Sequence, residues 1–518
     1  IYKRGTYTMT NSSQFDYYGS INVSYTKSFG RHLVQGIVGG ELKETNSESD
    51  AYKTVGFLDD PLGYPSYAVQ FDSYTGPSGS SSLSRSAGMF ANFNYSWDNR
   101  YLIDLTGRID GSSNFASKQR SAPFWSAGVR WNIYNEKFMK THGWFENLAV
   151  RANIGTVGNQ NFQLSQIMTL YNFLKMYDGV MGAEIMSIAN PELKWQTTLN
   201  RNIGLEFSLL QGLVNLDFNY YSNITKNNLT DIAILPSTGF STYKANMGKV
   251  RNQGYEFSLS ITPIKKNGWI VNAFVNGAHN KNKLLNISDA LRDYNEVIKE
   301  NQTAHLNYAG YTQLERIFLF EEGQSLNSIF AVRSMGIDPG TGQEIFVTAD
   351  GVQTFQWNAA DQVVVGNTEP TLKGYFGLNV DYKRWSFGAN FQYSFGADRY
   401  NKTLYEKIEG GNFAQNADRR ALTQRWTKPG DVAKYRGYGN TSQLKPTSRF
   451  VQKDDFLSMT SARLSYTLNA NDLQALGISL LKFTLSTNDL FYVSTIKQER
   501  GLSYPFARTF YFSLQANF

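Results

Sequence analysis

Four histidines, a Ser-Ser turn and three aspartates in one stretch are the residues of this chain whose types could do chemistry. His32, His142, His279 and His305 are scattered, and none has a histidine or carboxylate at the spacing of a metal site or a catalytic triad. Loop or surface histidines are the plain reading. Ser112 and Ser113 follow Asp110-Gly111 but lack the flanking glycines of a nucleophile elbow, and read as a polar turn. Gly340-Thr341-Gly342 follows Asp338-Pro339 with no Lys-Ser/Thr after it, so it is a turn rather than a phosphate loop. Asp338, Asp350 and Asp361 could share a calcium ion, although they lack EF-hand spacing. No other cofactor or metal is expected. The absence of cysteine removes disulfides, thiolate nucleophiles and Cys-ligated metal centres.

The elements that would position any such residue are strands with two unlike faces. Met89, Ala91, Phe93, Tyr95 and Trp97 alternate with Phe90, Asn92, Asn94 and Ser96. Trp385, Phe387, Ala389, Phe391, Tyr393 and Phe395 alternate with Ser386, Gly388, Asn390, Gln392 and Ser394. The last stretch does the same: Phe510, Phe512, Leu514 and Phe518 share one face, and Tyr511, Ser513, Gln515 and Asn517 the other. Side chains alternate along a strand with period 2, so each segment is apolar on one side and hydrogen-bonding on the other. Charges such as Arg151, Asp217, Glu206 and Glu256 fall on the polar face. Arg108, Arg151, Glu206, Asp217 and Glu256 are therefore expected to face a lumen, either lining a route through it or, more often, paired with one another. An arginine on a lipid face near the midplane would cost about 2–4 kcal/mol.

Mean hydropathy is −0.40, which alone suggests a soluble chain. Alternating barrel strands average to neutral, however, so the value does not decide. No apolar run reaches the roughly 18 residues of a membrane helix. A net charge of +7 over 518 residues, without a dense basic block, argues against nucleic-acid binding. Tight links such as Ser28–Arg31, Trp97–Arg100, Leu210–Gly212 and Lys383-Arg384 alternate with long polar stretches near 44–83, 160–198, 225–250, 281–312, 339–369 and 398–453. Short turns on one side and long loops on the other predict an all-β transmembrane antiparallel barrel with periplasmic turns and extracellular loops. About seventeen strands are expected, from 15–28 to 507–518, with 313–321 and 327–337 among them. Bacterial barrels have even strand numbers, so an odd number of strands is expected before Ile1.

Several stretches resemble the SusC/RagA-like TonB-dependent outer-membrane transporters of Bacteroidota. They are Arg108-Ile-Asp-Gly-Ser-Ser-Asn-Phe115, Ser126-Ala-Gly-Val-Arg-Trp131, Asn135-Glu-Lys-Phe-Met139 and Leu148-Ala-Val-Arg-Ala-Asn-Ile-Gly-Thr-Val-Gly-Asn-Gln160. Asn190-Pro-Glu-Leu-Lys-Trp195, Gly248-Lys-Val-Arg-Asn-Gln-Gly-Tyr-Glu256, Gly336-Ile-Asp-Pro339 and Gly366-Asn-Thr-Glu-Pro370 follow in order. The resemblance implies a barrel of about 22 strands, with about 17 of them in this C-terminal portion and the plug domain outside it. It also implies a TonB-contacting segment, a SusD-like lipoprotein over the extracellular mouth and pairing of two such complexes. The implied activity is import of a large oligosaccharide or peptide, with no bond made or broken. A scaffold subunit of a larger outer-membrane complex is the alternative. Residues 510–518 look like the terminal strand read during barrel assembly. Tyr171, Phe173, Trp357 and Tyr438 lie in the long loops, where they would stack on cargo, meet the lid or pack loop on loop.

Overall fold

A computed structural model describes residues 5–57, 64–72, 77–114, 120–139, 144–159, 169–177, 180–187, 190, 193–233, 239–240, 242–246, 248–289, 291–293, 295–296, 320–411, 418–438, 444–469, 473, 477–497 and 507–518. Seventeen of the described strands belong to one antiparallel sheet. The chain divides into two compact units. One is Ile1–Val129, Asn153–Asn200 and Thr225–Met247; the other is Arg130–Ala152, Arg201–Ile224 and Gly248–Phe518.

In the first unit, strand Thr6–Phe29 pairs along its whole length with His32–Val55 across the Gly30-Arg31 turn. His32–Val55 then pairs with Ser78–Trp97, and that strand with Tyr101–Ser112. Asp98 and Asn99 take the left-handed conformation in the tight turn between the last two. Short polar side chains tolerate that region better than β-branched ones. The alternation read from the sequence holds in space. Met89 and Ile109, cross-strand partners, are exposed on the apolar face. On the other face the Asn92 amide donates to Thr106 Oγ1 at 2.8 Å.

The second unit carries a ladder of seven described strands: Gly248–Lys266, Trp269–Ile287, Leu372–Tyr382, Trp385–Phe395, Phe456–Asn469, Leu480–Asn488 and Phe510–Asn517. Lys266 and Trp269 close a two-residue Asn267-Gly268 turn with both residues at positive φ, the signal for a hairpin whose twist matches its strands. Aromatic pairs bracket these turns: Trp269 stacks on Tyr382 at 4.1 Å and Trp385 meets Tyr466 at 4.7 Å. Amphipathic rings at the ends of a lipid-facing wall form an interfacial girdle.

Three expectations need correction. Strands Thr6–Phe29, His32–Val55 and Ser78–Trp97 run well beyond the span of a membrane, so much of the stretch 44–83 is strand, not loop. Residues 160–198 and 225–250 likewise contain hairpins, Leu170–Tyr177 with Val180–Ser187 and Leu229–Ala233 with Thr242–Asn246. Finally, 327–337 forms a strand, Ser328–Ile337, but not a strand of the wall; Trp269–Ile287 pairs directly with Leu372–Tyr382 instead. The sheet still counts seventeen because it includes the short segments Gln70–Phe71 and Tyr492–Ser494. The expected strand 313–321 lies almost wholly outside the described residues.

Ser328–Ile337 instead centres a four-stranded sheet with Glu344–Val347, Gln353–Thr354 and Gln362–Asn367. Its Ile329, Phe330 and Ala331 are buried against Val365, Tyr400 and Val451. The stretches 339–369 and 398–453 thus fold together around an apolar core. A second core joins Ile408, Ala421 and Tyr435. Burial and the neighbouring Tyr405 push the Tyr400 phenol well above its ordinary range, and burial pushes Tyr405 up to about 12.

Candidate functional site

Three of the five charges expected to face a lumen meet in one network. Glu206, on strand Gln196–Leu209, accepts from both outer nitrogens of Arg130, at 3.2 and 2.8 Å, and also from Arg151 Nη1. Arg151 Nη2 continues to Asp217 at 3.2 Å and to Asn219 Oδ1 at 2.7 Å. Arg130 Nε donates to Asn132 at 2.8 Å. Two guanidiniums and two carboxylates therefore balance one another across neighbouring strands. Bidentate arginine geometry gives such pairs direction as well as attraction. Arg130 was not anticipated. Its signal was its place opposite Trp131 in the alternation, but its partner depends on register, which the pattern does not supply.

Gly204 explains how Arg151 reaches so far. A Cβ there would sit 2.6 Å from Arg151 Nε and 2.7 Å from Asn219 Oδ1. Glycine leaves the gap through which the guanidinium crosses the strand. Gly204→Ala is expected to displace Arg151 from its partners and cost about 1–2 kcal/mol, read as an earlier midpoint in denaturant unfolding of the detergent-solubilised protein. An unchanged midpoint would mean that the guanidinium crosses without needing the gap.

Glu256 does not join the network. It lines an open cavity of about 470 Å³ with Asp217, Asn219, Ser258, Asn276 and Tyr375. Arg108 has its own partners in the first unit. Its Nε donates to Asp110 at 2.6 Å, its Nη2 to Glu41, and Glu41 also accepts from the Tyr18 hydroxyl at 3.2 Å. Every one of these charges lies on the polar face of its strand.

The other candidates fall into structural roles. His32 Nδ1 is 2.8 Å from the Tyr95 hydroxyl, and His279 Nδ1 is 2.6 Å from Thr371 O; His142 and His305 lie outside the described residues. Ser112 Oγ and Ser113 Oγ accept the backbone N–H groups of Asn114 and Arg85, at 3.2 and 2.9 Å. Asp338 caps its own turn, accepting from Gly340 N, Thr341 N and Thr341 Oγ1, and these bonds hold its carboxyl below the usual range. Asp361 accepts from Ala349 N at 2.9 Å, while Asp350 sits exposed in the turn between them. Among the described residues no group of three or more histidine or acidic side chains is arranged to hold a metal ion.

Of the loop aromatics, Tyr171 is exposed, and the side chain of Phe173 lies outside the described residues. Trp357 Nε1 donates to Pro446 O at 3.1 Å and Lys445 Nζ lies 5.2 Å from its ring centre, so this ring packs loop on loop. Arg425 stacks 5.0 Å from the half-exposed ring of Tyr438. On the terminal strand, Phe510, Phe512 and Leu514 are exposed and oppose Thr487, Leu485 and Phe483, and Phe518 is almost fully exposed.

The most elaborate charged constellation is in the packed loops. Glu409 is fully buried and bound to Arg436 at 2.9 Å and Arg449 at 2.8 Å. Arg449 also binds Glu344 at 2.9 Å, and Glu344 accepts the Thr447 hydroxyl at 2.8 Å. Arg425 caps four backbone carbonyls, those of Ala421, Arg436, Ile408 and Glu409, at 2.8–3.0 Å. Sequence reading missed all of these, because their partners are up to 105 residues apart.

Strands with an apolar face and a charged face, tight girdled turns and long connections folded into their own cores define an outer-membrane β-barrel protein. The family described as "TonB dependent receptor-like, beta-barrel" matches residues 2–402, and the chain belongs to that family. TonB-dependent receptor P39 of Formosa agariphila is 26% identical over 517 residues, covering 92% of this chain and 49% of the relative. TonB-dependent receptor SusC of Bacteroides thetaiotaomicron is 26% identical over 429 residues, covering 78% of this chain and 40% of that protein. The chain spans about half the length of the curated relatives it matches first. In fold it is similar to a chain in a structure of the RagAB peptide transporter, with a TM-score of 0.82 at 24% identity over 94% of this chain and 53% of the other.

Proposed function

We propose that this chain is the barrel portion of a TonB-dependent importer that takes up a large oligosaccharide or peptide with a SusD-like surface lipoprotein. The observation that carries the reading is the charged polar face of a wall belonging to the TonB-dependent receptor family. Two guanidiniums and two carboxylates facing away from lipid suit a water-accessible or plugged lumen, since their desolvation is costly elsewhere. The relatives named TonB-dependent receptor SusC and RagAB peptide transporter support TonB coupling and a surface lipoprotein partner. Cargo would bind between wall, plug and lid. Energy would come from TonB, and the wall would change no covalent bond.

The test uses the full-length protein in its native cell. Deleting the gene should abolish growth on one oligosaccharide or peptide source. Complementation should restore it only while TonB is energised and the neighbouring lipoprotein is present. Growth that persists without TonB, or without the transporter itself, would favour the scaffold reading.

A further inference from the structure

The apolar face of the first unit carries a furrow of about 710 Å³ where small and large residues alternate between strands. Gly19 opposes Leu42, Ile21 opposes Gly40, Gly40 opposes Met89 and Leu42 opposes Ala87. The floor is glycine and alanine; the walls are Ile21, Leu42 and Met89, each at least 67% exposed.

Among the described residues nothing requires glycine there. Neither Gly19 nor Gly40 has positive φ. A Cβ on Gly19 would meet nothing within 4 Å, and one on Gly40 only Gly88 O at an ordinary 3.6 Å. Glycine inside a strand weakens it and marks a place that something else approaches closely.

The depth and chemistry of the furrow say what approaches. One pleat above it, toward the long connections, Tyr17, Glu44 and Arg85 are cross-strand neighbours on the same face. From Tyr17 down to the Phe29 end of the strand are twelve residues. At about 3.3 Å per residue and a tilt near 40°, they drop about 30 Å, close to the apolar height of a barrel. The Tyr17 level is therefore the outer interface, and the furrow lies at the depth of outer-leaflet acyl chains. Arg85 is well exposed and gives only Nε to Glu44, at 2.8 Å. Among the described residues its outer nitrogens have no partner, and they form the planar fork that suits a phosphate.

We propose that the furrow seats an acyl chain of a phosphate-bearing outer-leaflet lipid whose phosphate rests on Arg85. The full-length protein, extracted in mild detergent, would be weighed by native mass spectrometry with its lipid adducts counted. Wild type should carry a phosphate-bearing lipid. Gly40→Leu, which fills the furrow, and Arg85→Gln, which removes the charge, should each lower that adduct about tenfold, with heat-modifiable mobility unchanged. Should Gly40→Leu fail to assemble, Arg85→Gln decides alone. A wild type without the adduct, or an adduct indifferent to Arg85→Gln or to an assembled Gly40→Leu, overturns the proposal. So does a Gly40→Leu protein that loses self-association while keeping its lipid, since the furrow would then be a face for a second copy. None of these outcomes depends on transport.

Discussion

Glu409→Ala is expected to open the packed loop unit while leaving the wall folded. The substitution removes the carboxylate shared by Arg436 and Arg449, whose side chains are only 11% and 12% exposed, although Arg449 keeps Glu344. Removing one partner of a buried ion pair costs about 3–5 kcal/mol, and the retained Glu344 carboxylate places the loss here toward the lower end, about 3 kcal/mol. Acid reaches the same network by protonating Glu409. Burial would raise the Glu409 carboxyl, but Arg449 and Arg436 outweigh it and hold the group below its ordinary 4.5. A depressed folded-state pKa contributes stability above the unfolded value, and that contribution is lost as pH falls through the folded value. The unit should therefore loosen in wild type as pH falls below the ordinary carboxylate range, and lose that acid step in Glu409→Ala. Hydrogen exchange reads both. Ser328–Ile337 and Val451–Lys453 should lose protection while Leu372–Tyr382 and Trp385–Phe395 keep theirs. Protection unchanged in the variant would mean that the apolar cores alone hold the loops together.

The second large effect is expected on the polar face of the wall. Glu206→Leu removes the carboxylate shared by Arg130 and Arg151. Both guanidiniums are about one-third exposed, so water recovers part of the lost attraction, and about 2 kcal/mol is expected rather than the full cost of a buried pair. Arg151 keeps Asp217 and Asn219, so Arg130 bears most of the loss. The midpoint of denaturant unfolding should fall for Glu206→Leu and recover partly in the double variant Glu206→Leu/Arg130→Leu, which leaves no stranded charge. Additive losses in the double variant would show that the pair is not coupled.

The wall was legible because its physics is local. Met89–Trp97 alternates whichever neighbours it has, and Asn267-Gly268 marks its hairpin without any knowledge of the fold. What escaped was whatever depends on pairing across distance. Arg130 and Glu41 stood on polar faces, but only the register brought them to Glu206 and Arg108. Ser328–Ile337 was misplaced because a strand was expected in the wall, although its start, Ser-Ile-Phe-Ala-Val, is buried on both faces and does not alternate between apolar and polar. A continuous apolar run belongs to a strand covered on both sides, and that was the signal available. The extensions beyond the membrane were misread for the opposite reason. Residues such as Thr45-Asn-Ser-Glu-Ser49 are polar on both faces, which resembles a loop unless the strand beside them is known.

These 518 residues contain no cysteine, so the most direct test of the two-faced wall needs only any cysteines elsewhere in the protein replaced by serine. Single cysteines would be placed in turn from Met89 to Trp97 in the full-length protein, in outer membranes. Positions 89, 91, 93 and 95 should carry probes quenched from the lipid phase and resist a charged thiol reagent. Positions 90, 92, 94 and 96 should behave the opposite way. Uniform labelling by the charged reagent along the whole strand would show that neither face meets lipid, and would contradict the barrel.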